Sequence, residues 1–218
     1  MKINGKEIIK NIFNEDCKFI SESNNKIDLL DYRINDKNIS LTKDSGMLYL
    51  LVYNRKVQDK KIDFNEANIK AKEFLKLNNI TNVTDRYYII KDNEITINYA
   101  AVQNNVILYP DLIKVKVALD NGEILSYEAL GYTYNHSNRE NIIPKKSLNE
   151  AKKILNKNLT VISNDLCLIP TDSKKEILCY EFKCKKDNKE YLVYINANTL
   201  LEEKILTVIN SEDGTLTI

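Results

Sequence analysis

His136 is the sole histidine of this 218-residue chain, so any Ser/His/Asp or Cys/His nucleophile system has to be assembled around it. It stands in a polar run, Tyr134-Asn135-His136-Ser137-Asn138-Arg139, outside the strand-turn-helix context that presents a nucleophile. One His, four scattered Cys and no HExxH or CxxC spacing supply no metal-ligand set. Five Gly occur, and none forms GxGxxG or GxxxxGK, the patterns whose backbone N–H groups cradle phosphate. No cofactor, no metal and no catalytic residue are therefore expected. A glycosidase-type carboxylate pair stays open by composition, because 31 acidic residues supply many pairs and the spacing required is spatial. The chemistry left at residues 132–139 is recognition. Tyr132, Tyr134, His136 and Arg139 bring together side-chain types enriched in interface hot spots, and they are the partner-binding candidates. The competing role for the same residues is to pack two modules against each other.

The cysteines are Cys17, Cys167, Cys179 and Cys184, too few to form a disulfide framework in a chain of this length. Cys179 and Cys184 are an odd number of residues apart in a strand-like run, which sends their side chains to opposite faces. Cys167 and Cys179 are equidistant from Ser173, so a hairpin turning over residues 170–176 sets them opposite each other. Buried, reduced thiols are the favoured state, with a cross-strand disulfide as the alternative.

Lys plus Arg total 32 against 31 Asp plus Glu, a formal net charge of +1 that gives no general drive toward nucleic acid or an anionic membrane. With 43% hydrophobic residues the chain can bury a core, and no apolar run approaches the roughly 18 residues of a membrane span.

The elements that must position these residues recur. Turn residues stand at Asp44-Ser45-Gly46, Asp120-Asn121-Gly122 and Asn196-Ala197-Asn198, a spacing of 76 (120 − 44 and 196 − 120), each between two strand-like runs. Three helix starts precede them: Asn4 with Glu7, Asp63 with Glu66 and Ser147 with Glu150, the spacing of a capping box. Apolar residues at helical period follow each, and Ile8, Ile12, Phe74, Leu75, Ile154 and Leu155 are expected to be buried. Lys91-Asp92-Asn93 and Gln103-Asn104-Asn105 are turn residues able to enter positive φ. The pattern predicts an α+β fold of tandem modules at residues 1–61, 62–140 and 141–218, each one helix packed on a small antiparallel β-sheet. Edge strands on three small sheets leave homodimer formation open.

The module that ends in strand, turn and strand, as in Tyr191-Leu192-Val193-Tyr194-Ile195-Asn196-Ala197 followed by Glu202 to Leu206, resembles the PepSY domain. Three stretches are similar to the C-terminal region of the YpeB spore germination family: Gly131-Tyr132-Thr133-Tyr134-Asn135-His136, Leu178-Cys179-Tyr180-Glu181-Phe182 and Glu212-Asp213-Gly214-Thr215-Leu216-Thr217. The sequence departs from the usual PepSY pattern at Leu200, where a Gly commonly follows the Thr, and at Asp44-Ser45-Gly46 of a divergent first module. The resemblance implies a non-enzymatic germination protein that binds and stabilises a SleB-type cortex-lytic enzyme, with inhibition until germination and simple protection both open. It further implies an exported protein held at the spore inner membrane, on the cortex side, by an N-terminal segment outside the sequence given. The alternatives it leaves are a peptidoglycan-binding or a peptidase-inhibitory module.

Overall fold

The computed structural model describes residues 3–24, 26–173 and 175–217. Its elements run, in chain order, α1 (Gly5–Phe13), β1 (Lys18–Asn24), β2 (Asp28–Ile34), β3 (Lys37–Thr42), β4 (Leu48–Tyr53), α2 (Phe64–Leu77), β5 (Val83–Lys91), β6 (Glu94–Gln103), β7 (Val106–Ala118), β8 (Ile124–Glu128), α3 (Leu130–Asn135), α4 (Leu148–Lys152), β9 (Thr160–Pro170), β10 (Glu176–Lys186), β11 (Lys189–Asn196), β12 (Glu202–Ser211) and β13 (Gly214–Thr217). Asn4, Asp63 and Ser147 each accept a hydrogen bond from the backbone N–H three residues on, and the Asp63 and Ser147 boxes are reciprocal.

The expected architecture of separate helix-on-sheet modules is wrong. About half of the residues are in strands, the helices are few, and the strands join in the order β1-β2-β3-β4-β8-β7-β6-β5-β13-β12-β11-β10-β9. A parallel pairing of β7 with β9, from Val106↔Leu166 to Leu108↔Leu168, then closes eight strands into a barrel: β7, β6, β5, β13, β12, β11, β10 and β9. The physical reason is edge satisfaction. A four-stranded sheet of this size leaves two rows of unpaired backbone groups, and here β4 pairs with β8 while β13 meets β5 and β9 meets β7. Turn chemistry follows the sequence more closely. Asp92, Asn93, Asn104 and Asn105 all adopt positive φ.

The three repeated turns share one hydrogen-bond pattern. Gly46 N–H donates to Thr42 O, Gly122 N–H to Ala118 O and Leu200 N–H to Asn196 O, each at 2.9 Å. The third turn is thus offset by two residues from the register that the sequence suggests. Gly46 (φ 71°), Gly122 (φ 78°) and Leu200 (φ 65°) are the equivalent positions, and Leu200 occupies the left-handed conformation that its two counterparts give to glycine.

Packing is divided between the two faces. One core combines α1, α2 and the sheet between them, with Ile9, Leu41, Leu51, Phe74, Leu75, Ile97 and Tyr127 buried. A second lies under α4, with Ala151, Leu155, Phe182 and Ile195. A third fills part of the barrel interior, with Ile107, Cys167, Cys179, Leu192 and Tyr194. Ile8 and Ile12 are partly buried against the first core, while Ile154 is 45% exposed, against expectation. Helix α4 ends at Lys152, so the helical period that would have turned Ile154 inward does not continue that far.

Candidate functional site

Helix α3 forms the connection in which the sequence places its candidate residues, and it lies directly on β7. A Cβ on Gly131 would come within 2.9 Å of Pro110 O and 3.1 Å of Leu112 N, so only glycine permits this approach. The Asn135 amide donates to Pro110 O at 2.8 Å and fixes the far end of the helix.

The four candidates divide by role. Arg139 is 9% exposed and donates through both terminal nitrogens to Asp111, at 2.6 and 2.5 Å; Asp111 is fully buried. Arg139 also donates to Glu176 at 2.7 Å, tying the connection to β10 as well as β7. His136 Nδ1 lies 2.7 Å from the same Asp111 carboxylate, and its ring stacks on Tyr132 with centroids 4.0 Å apart. Gln103 brackets Arg139 with two hydrogen bonds to its backbone. Tyr132, His136 and Arg139 thus form one clamp between β7 and β10. Tyr134 stands outside it, half exposed on α3 one turn after the exposed Leu130. Among the described residues, no hydroxyl or thiol bonds the free edge of His136, and no group of three His, Cys, Asp or Glu could hold a metal ion.

A second polar cluster, which the sequence reading missed, lies inside the barrel. Arg86 sits at a bulge of β5 and donates to Tyr109 Oη at 2.9 Å and to the buried Glu181 carboxylate of β10; Tyr109 donates to the other oxygen of Glu181 at 2.6 Å. Burial and the neighbouring Glu181 charge push the Tyr109 and Tyr194 phenols far above their ordinary range. The signal was present, since Glu181 is an acidic residue in the otherwise apolar run Leu178 to Phe182 and Asp111 interrupts the apolar β7. Both buried carboxylates are held by arginines distant in sequence, which no local pattern reveals.

Cys167 and Cys179 are paired in register across the β9–β10 hairpin. All four cysteines are free thiols. Burial pushes the Cys179 thiol up to about 12 and raises that of Cys167 well above its ordinary value, which keeps both protonated and unreactive in the folded chain. Cys184 faces the α4 core instead, on the opposite side of β10. Above the Arg86–Glu181 pair, the barrel opens into a cavity of about 540 Å³ bounded by Tyr87, Tyr109, Tyr194, Leu112 and Leu206.

Residues 6–142 match the family model "YpeB sporulation, PepSY1 and PepSY2 domains", and residues 145–200 match "Peptidase propeptide and YPEB domain". Sporulation protein YpeB of Halalkalibacterium halodurans is 34% identical over 195 residues, covering 85% of this chain and 43% of that protein. Sporulation protein YpeB of Bacillus subtilis is 36% identical over 180 residues, covering 80% of this chain and 39% of the relative. The chain thus spans less than half the length of these curated relatives. Among solved structures, the Bacillus megaterium YpeB C-terminal domain superimposes with a TM-score of 0.84 at 25% identity, covering 96% of this chain and 99% of that one. By sequence and by fold alike, the chain belongs to the YpeB sporulation family and carries its PepSY domains.

Proposed function

We propose that the chain is a non-enzymatic module of sporulation and germination that binds and stabilises a SleB-type cortex-lytic enzyme at the cortex side of the spore inner membrane. The observation that carries this reading is the family match over residues 6–142, supported by relatives named as sporulation proteins. The docking surface we assign is the outer side of α3, where Leu130 and Tyr134 are exposed above the clamp. Tyr132, His136 and Arg139 position that surface rather than contact the partner, because the Arg139 guanidinium is bonded to Asp111, His136 Nδ1 lies against the same carboxylate, and the Tyr132 and His136 rings stack on each other.

The test is co-purification with the cortex-lytic enzyme of the same genome, using two variants. Tyr134→Ala is expected to weaken association by at least about 1 kcal/mol with an unchanged melting temperature. Arg139→Ala is expected to lower the melting temperature first and to affect binding only through instability. Equal affinity for the Tyr134 variant and the parent would remove α3 as the docking surface. Bond cleavage when the pure chain is incubated with cortex fragments would overturn the non-enzymatic reading, and retention on those fragments without cleavage would favour a peptidoglycan-binding one.

A further inference from the structure

The barrel is not evenly closed. Strands β12 and β13 complete it at the C-terminal end, but β13 meets β5 at a single bridge, Gly214↔Ile89, beside the bond from Ile90 N–H to Asp213 O at 2.5 Å. At that crossing Gly214 has φ 136°, and a Cβ there would come within 2.2 Å of Tyr88 O, so the two strands touch at one point and then part. The cavity of about 540 Å³ runs along this seam, bordered by Ile89 on one side and Leu216 on the other. Both side chains are partly exposed, at 38% and 46%, which makes the entrance apolar.

Its lining is graded. The floor is made of the rings of Tyr87, Tyr109 and Tyr194, and the Tyr109 hydroxyl is turned away to bond Glu181 and Arg86. Leu112, Ile169 and Leu206 form apolar walls. Lys114 and Lys204 are the only charged side chains on the lining among the described residues, and no acidic side chain is present to balance them. Lys114 stands 3.7 Å from Glu128, on a strand outside the barrel; Lys204 has no carboxylate within 4.0 Å among the described residues. The size falls within the roughly 300–1,000 Å³ typical of small-molecule sites, which are mostly apolar with a few placed polar groups.

We infer that this cavity binds a single-chain anionic amphiphile of the fatty-acid type, its hydrocarbon chain against the tyrosine floor and its carboxylate between Lys114 and Lys204. An apolar body alone would fit the walls but leave Lys204 without a counter-charge and Lys114 with only the long contact to Glu128 at 3.7 Å. A cationic amphiphile would be repelled by them. The inference does not rest on the partner enzyme, since it is argued from the lining of the cavity alone.

Displacement of a dansyl-labelled undecanoic acid from the intact chain tests it, with dodecanoate, dodecanol and dodecyltrimethylammonium as competitors below their micelle concentrations. Dodecanoate is expected to compete at a concentration at least about tenfold lower than either of the others. The charge reversals Lys114→Glu and Lys204→Glu, both at solvent-exposed positions, should together weaken dodecanoate about tenfold or more while leaving dodecanol unchanged. Leu206→Trp, which fills the cavity, should abolish competition by both; if that variant does not fold, Leu216→Trp at the entrance serves instead. No displacement, equal affinity for the three head groups, or binding to phosphatidylglycerol vesicles without binding to monomeric dodecanoate would overturn the assignment.

Discussion

Two joints hold this chain together, and they are built from different physics. Between residues 1–61 and the strands that follow, the joint is a shared apolar core: Phe13 of α1 and Tyr127 of β8 both pack on Phe74 of α2, with centroids 6.0 and 5.7 Å away. Its polar cover is Arg55, which donates to Asp120 and Glu123 near the surface. The second joint is the barrel. There the two parts meet through short ladders, three residues of β7 with β9 and one bridge of β13 with β5, and through apolar contacts of Leu108 and Ile107 with the strands that follow, but what sets this joint apart is two arginine–carboxylate clusters that are largely out of water. The contrast shows where specificity comes from. Apolar area is non-directional and stabilises the first joint in bulk, whereas buried charge punishes any docking that leaves it unpaired. The second joint can therefore close in one register only.

Thiol chemistry gives the largest contrast. With a thiol pushed up to about 12, only about one Cys179 in ten thousand is ionised at pH 8. Alkylation of the folded chain at that pH should therefore modify the half-buried Cys17 first, with Cys167, Cys179 and Cys184 reacting only on unfolding. Counting thiols on the unfolded chain without reductant should find four; two missing and mapped to Cys167 and Cys179 would instead establish a cross-strand disulfide.

Truncations come next. Phe74→Ala removes the ring that both helices share and should cost about 3–5 kcal/mol in urea unfolding. Glu181→Ala should cost a comparable amount, about 3–5 kcal/mol, by removing the buried carboxylate partner of Arg86 and leaving it the half-exposed Asp165 at 3.4 Å. A second change, Arg86→Met, should recover much of the Glu181 loss, while no single second change should rescue Phe74. If Arg86→Met fails to rescue, the barrel joint is held by packing after all and the contrast breaks.

Asp111→Asn keeps the shape of the clamp and removes its charge, for about 2–3 kcal/mol. The corresponding Asp120→Asn at the less buried Arg55 cluster should shift the melting temperature less, since its partners keep 19% and 20% of their side-chain area in water.

The smallest effect sharpens the repeat itself. Leu200→Ala and Leu200→Gly lose the same packing against the α4 core, but only glycine relieves the left-handed backbone, so the Gly variant should be more stable than the Ala variant by about 1 kcal/mol. Gly122→Ala at the equivalent position should be destabilising, as a Cβ there would press on Lys70 at 3.0 Å. Equal stability of the two Leu200 variants would show that φ 65° carries no strain.

Local chemistry determined what the sequence could show: the three capped helix starts, the Asp-Asn and Asn-Asn turns, and the opposition of Cys167 and Cys179 all depend on atoms within a few positions of one another, whereas residue 200 stood out only against the family pattern. Sheet closure was not legible in the sequence. Whether β4 ends its own sheet or pairs with β8, and whether β9 lies beside β7, depends on which edges find partners, and every edge strand carries the same backbone donors and acceptors whatever its sequence. The same limit applies to the candidate residues. Tyr132, Tyr134, His136 and Arg139 share one short segment, and only the approach of β7 and β10, bringing Asp111 and Glu176, makes three of them a clamp and leaves Tyr134 facing outward.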